Sequence, residues 1–62
     1  MQVGDIVKTR PGFWPVVVCI ISDKQKGILG EDVARFYCFQ HKRYFWEGSP
    51  KRRFEVISKK LA

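Results

Sequence analysis

Few side chains in this sequence could do covalent chemistry, and none is spaced for it. His41 is the sole histidine, and no serine or cysteine with a supporting acid stands near it in the chain, as a nucleophilic site of the serine-histidine-acid kind would need. The six acidic residues are scattered rather than paired on one strand face. There is no glycine-rich phosphate loop. Cys19 and Cys38 each lie within an apolar run, with no second cysteine or histidine at ligand spacing, so a four-ligand zinc site cannot be completed and no metal is expected. Folding can join distant residues, yet 62 residues leave little room for an elaborate cleft. The expectation is a protein that is not an enzyme and carries no cofactor.

Two other residue classes can bind. The chain holds five Phe, two Trp and two Tyr, many of them near turns: Phe13 and Trp14 precede the apolar run Val16 to Ile21, Tyr37 and Phe39 close a third run, and Tyr44, Phe45 and Trp46 fill a fourth. Rings that converge at a rim can enclose a quaternary ammonium through their π faces. Phe13, Trp14 and Phe39 are the candidate rim or cage, whereas Phe36, Phe45 and Phe54 are assigned to the core. The basic class is clustered. Twelve Lys and Arg against six Asp and Glu give a net charge of +6, a footprint that suits nucleic acid or another polyanion. His41, Lys42 and Arg43 fall on one turn, Lys51, Arg52 and Arg53 follow Gly48-Ser49-Pro50, and Lys59 and Lys60 come near the end. Lys42, Arg43, Lys51, Arg52 and Arg53 are the candidate phosphate contacts.

The elements that must position these residues read as strands. Val3 to Thr9 is a first strand. Pro15 to Ile21 is a second, with Val16, Val18 and Ile20 on one face and Val17, Cys19 and Ile21 on the other, apolar on both and so expected to be covered on both. Ser22 to Gly30 reads as a polar connection. Val33 to Gln40 is a third strand, with Ala34, Phe36 and Cys38 sharing one face, and Arg43 to Trp46 a fourth. Lys51 to Ile57 is a fifth short strand or a single helical turn, with Phe54, Val56 or Ile57 inward, and residues 58–62 form a basic tail that frays. Five short strands with no long helix predict one all-β domain over residues 1–62, a small, partly open, SH3-like barrel. The two cysteines are expected as buried thiols in a reducing compartment, cytoplasmic or nuclear. The N-terminal segment has no apolar signal region, and no run is long enough for a membrane helix, so no membrane partner is expected.

At this level the sequence resembles the PWWP domain of the Tudor-like Royal group of barrels. "VGDIVKTR" is similar to that family's opening strand, Gly12-Phe13-Trp14-Pro15 stands at its name motif, and "VARFYCFQHKRYFW" resembles its third strand, turn and fourth strand. The similarity spans about Val3 to Ile57. Only Trp14-Pro15 repeats the signature outright, and the family's C-terminal helices have no counterpart. The resemblance implies a methyl-lysine reader of histone peptides that also holds DNA, with Trp14 and Phe39, and Phe13 as a third wall, in the cage. A compact nucleic-acid-binding barrel of the KOW type is the other resemblance. No helix is available for the major groove. The leading expectation is therefore binding of nucleic acid, duplex DNA in the first place, through the basic face, with single strands stacking on Tyr44 and Trp46 left open. Methylated histone peptide and an acidic protein partner are the alternatives.

Overall fold

A computed structural model describes residues 1–59; Lys60 to Ala62, part of the predicted basic tail, lie outside the described residues. Its strands are β1 (Ile6–Thr9), β2 (Val18–Lys26), β3 (Asp32–Cys38), β4 (Arg43–Gly48) and β5 (Phe54–Ser58), with a single helical turn, α1 (Pro50–Arg53), before the last. All pair antiparallel in one sheet, in the order β4-β3-β2-β1-β5. The sheet curls into a small, partly open all-β barrel. Its two edge strands, β4 and β5, face each other across the opening, where the Phe45 and Phe54 rings lie 6.4 Å apart.

Alternation fixes the inner surface. Val7, Val17, Cys19, Ile21, Ala34, Phe36, Cys38 and Phe54 are buried together. Phe36 is central: its ring stacks on Phe45 at 5.4 Å and on Phe54 at 4.6 Å, which ties both edge strands to the middle of the sheet. Each such pair adds about 0.5–1.5 kcal/mol beyond the area it buries. The core assignment of Phe36, Phe45 and Phe54 is thus met, and β5 turns Phe54 and Val56 inward while Ile57 stays exposed.

Two sequence expectations need correction. The second strand starts at Val18 rather than Pro15 and runs on through the polar stretch to Lys26. Pro15 lacks the N–H a ladder needs, although Val17 still reaches β1: its carbonyl accepts from the Thr9 N–H at 3.1 Å, and its own N–H donates to Thr9 Oγ1 at 3.1 Å. Beyond Ile21 the register shifts, and Asp23 to Lys26 pair with Arg35 to Asp32 as an outer arm of the hairpin, with β4 still paired to Val33, Ala34 and Arg35 on the other side. On this arm Asp23 to Lys26 are exposed on both faces, so their composition imitates a loop, although Ala34 opposite Lys24 is buried in the core. At its tip the Gly30 N–H donates to the Gly27 carbonyl at 3.0 Å and Gly30 has φ 81°, the left-handed position of a bulged hairpin turn. The second correction concerns covering. β2 is covered on its inner face alone, for Val18 is exposed and Ile20 half-buried on the other.

The ends differ in smaller ways from expectation. β1 begins at Ile6, because Gln2 to Asp5 turn the chain: the Asp5 N–H donates to the Gln2 carbonyl at 3.0 Å, and the Asp5 carboxylate accepts the Gln2 N–H at 2.9 Å. Ser58, expected in the fraying tail, pairs with Ile6. Lys51 to Ile57 contains both predicted forms, a helical turn and then a strand.

Candidate nucleic-acid interface

The outer face of β2, β3 and β4 carries rings that lie outside the buried core. In register across the sheet lie Ile6, Ile20, Tyr37 and Tyr44, and beside that row Arg35 is paired with Trp46. Phe39, Tyr44 and Trp46 are 46%, 53% and 47% exposed, while Phe45, between the last two, turns inward onto the core. The rings brace one another. Tyr37 meets Phe39 edge-on at 5.8 Å and Tyr44 at 5.0 Å, and the Arg35 guanidinium lies 4.1 Å from the centre of the Tyr44 ring. A guanidinium over a ring is worth about 0.5–1 kcal/mol at an exposed site, and here it also places a positive charge on the aromatic surface.

The basic residues divide into two groups. His41, Lys42 and Arg43 are exposed at the β3–β4 turn, next to Phe39 and Tyr44 in the chain, with Lys42 held at φ 54°. Lys51 and Arg52 sit on α1 and line a shallow groove with Glu31 and Asp32, where their charge is partly answered. The Lys26 ammonium hydrogen-bonds the Asp32 carboxylate, which lowers the pKa of that acid below its ordinary value. Arg53 leaves this group. Its Nη1 donates to Glu47 Oε1 at 3.0 Å across the gap between the edge strands, and its guanidinium carbon lies 5.7 Å from the Phe13 ring centre.

That gap contains a cavity of about 410 Å³. Val17, Cys38, Phe45 and Phe54 supply its apolar lining, and His41, Arg43, Glu47 and Arg53 its polar one. Arg43, Phe45 and Glu47 alternate along β4, which is how one strand contributes both kinds of wall.

Phe13, Trp14 and Phe39 do not line this cavity. The rim expectation holds in one respect: the start of β2 and the end of β3 are neighbours, since the Phe39 N–H donates to the Val18 carbonyl at 3.3 Å. Yet the three rings face different partners. Phe13 lies by Arg53, Phe39 packs edge-on against Tyr37, and Trp14, before a cis Pro15, is 85% exposed. Among the described residues no ring contact joins any two of the three. The exposed aromatic surface that the sequence marks only in part is the Tyr37, Tyr44 and Trp46 face. Its signal was present in "RYFWEG", where aromatic residues occupy both parities of one strand although a two-layer core uses only one.

Cys19 and Cys38 are buried free thiols, directly opposite each other on β2 and β3. Burial, with the neighbouring Cys38 thiol second, pushes the Cys19 pKa up to about 12, so it stays protonated and unreactive near neutrality. Among the described residues no group of three or more histidine, cysteine or acidic side chains is placed to hold a metal ion, and no helix is long and apolar enough to cross a membrane. Comparison with protein-family models, curated proteins and solved structures found no match for the chain.

Proposed function

We propose that the protein is a non-enzymatic nucleic-acid-binding module that takes its ligand on the outer face of β2, β3 and β4. The observation that carries this reading is the half-exposed set Phe39, Tyr44 and Trp46, with Arg35 among them. Rings held on a rigid sheet lose little freedom when a base stacks on them, and each stacked base contributes about 1–3 kcal/mol. Lys42 and Arg43 border the same face and are suited to phosphates, in keeping with the net charge of +6. The sequence favours duplex DNA, held by the clustered basic residues with Trp14 and Phe39 at an aromatic rim. The exposed π faces favour bases free to stack, so an unpaired strand is the proposed form.

A gel-shift salt series with single-stranded DNA, RNA and duplex DNA tests the reading. Single strands should bind at least about tenfold tighter than duplex, and Trp46→Ala should weaken binding by about 1–3 kcal/mol. Replacing Lys42 and Arg43 together by Ala should lower the slope of log affinity against log salt by about 1.4 for a single strand. Indifference to both variants, with no preference for single strands, would overturn it. Capture of an acidic protein that persists after nuclease treatment and resists competition by DNA would favour the adaptor alternative instead.

A further inference from the structure

We infer that the cavity between β4 and β5 is a binding site for a nucleoside monophosphate unit, either as a free nucleotide or as one unstacked nucleotide of a strand. Volume and lining agree on the class. About 410 Å³ is within the range of small-molecule sites. The floor, Val17, Cys38, Phe45 and Phe54, offers an apolar and aromatic surface to a flat ring, and the Phe45 and Phe54 rings are fixed by stacking on Phe36.

The polar side of the cavity selects for negative charge. It holds two guanidinium groups, Arg43 and Arg53, with His41 beside them, against the single carboxylate of Glu47, whose Oε1 already accepts from Arg53. A cationic ligand such as a methylated lysine therefore meets two positive charges and a carboxylate that is already engaged. Arg53 adds a second, independent sign. Its Nε–H is buried and has no hydrogen-bond partner among the described residues, a situation rare in native proteins. A phosphate oxygen can pair with the part of that guanidinium that stays open, since the Arg53 side chain is 34% exposed, and the exposed Arg43 side chain belongs to the same lining.

The site adjoins the proposed stacking face, because Tyr44 belongs to both the outer face and the cavity lining. For a strand-borne nucleotide the inference rests on the proposed function: a chain stacked on Tyr44 and Trp46 would turn one nucleotide past the edge of β4 into the opening. For a free nucleotide it stands without that reading.

The test is an amide NMR titration of the whole protein with deoxythymidine 5′-monophosphate, thymidine, inorganic phosphate and an eight-residue oligothymidylate. The mononucleotide should shift Cys38, His41, Arg43, Phe45 and Phe54, and thymidine or phosphate alone should bind at least about tenfold more weakly, since each lacks half of the recognised group. Arg43→Ala, an exposed change that leaves the core intact, should weaken the mononucleotide about tenfold, the equivalent of one charge-assisted hydrogen bond. Glu47→Gln, which removes the competing carboxylate, should strengthen it. An octamer that binds far tighter and shifts both the cavity and the outer face identifies the strand as the source. A mononucleotide as tight as the octamer identifies the free nucleotide. Cavity amides that stay still while Tyr44 and Trp46 shift would overturn the cavity site and leave the proposed function intact, whereas cavity shifts without any octamer binding on the outer face would do the reverse.

Discussion

The two faces of the β2–β4 sheet are nearly equal in apolar content and opposite in use. Inside, Cys19, Ile21, Ala34, Phe36 and Cys38 are buried to 2% exposure or less. Outside, Val18, Phe39, Tyr44 and Trp46 remain between 37% and 53% exposed. An inner ring is explained by the core it fills, since a chain this short needs several large side chains to hold together. An outer ring adds little to folding and leaves an apolar surface exposed, which soluble proteins keep small unless it binds something. The difference assigns stability to one parity of each strand and leaves the rings of the other available for the proposed stacking.

The comparison is broken most directly by exchanging losses between the faces. Phe36→Ala should cost about 3–5 kcal/mol, enough to unfold much of so small a domain, whereas Trp46→Ala should move stability by only about 0.5 kcal/mol. Urea denaturation followed by circular dichroism measures both. Comparable losses would make the outer face structural and remove the main ground for the proposed function.

Next in size is an effect of pH confined to the inner face. The Cys19 thiol has an ordinary value of 9.0 and a folded value near 12. Between these limits the unfolded chain releases a proton that the folded chain keeps, so stability is whole below pH 9 and falls as pH rises, by up to about 1.4 kcal/mol per pH unit. Urea midpoints of the natural protein and of Cys19→Ala, compared between pH 8 and pH 11, isolate this thiol from the lysines and tyrosines that titrate nearby. Parallel curves would show that the inner face is wetter than its burial indicates.

The smallest effect falls on the tip of the β2–β3 arm, where Ile28 to Gly30 are exposed. Gly30 has φ 81° and nothing within 4 Å of where a Cβ would stand, so Gly30→Ala should cost only the left-handed backbone, about 1 kcal/mol. Hydrogen exchange should quicken at Gly27 and Lys26 and stay unchanged at Phe36. Faster exchange at Phe36 would mean that arm and barrel unfold as one unit.

Much of the barrel is legible in the chain because alternation is a local signal. The inward parity of Val17, Cys19 and Ile21, of Ala34, Phe36 and Cys38, and of Phe54 follows from neighbours two residues apart. The arm was not legible. Asp23 to Lys26 have a loop's composition, and their pairing with Asp32 to Arg35 is fixed by the turn at Gly27 to Gly30 rather than by any apolar face of their own. The candidate site was half legible. Composition marked Arg43, Arg53, Tyr44 and Trp46 as binding residues, but grouping Trp14 with Phe13 and Phe39 required knowing where a loop of two prolines and a glycine would send each ring.

The sequence by itself determined the strand class, the inward rings and the excess of positive charge, because these depend on residue type and on a period of two. Only the tertiary structure decided that β4 and β5 face each other unpaired. That single relation, between residues far apart in the chain, separates Arg53 from Lys51 and Arg52, joins it to Glu47 and Arg43, and opens beside Tyr44 a cavity that no local pattern encodes.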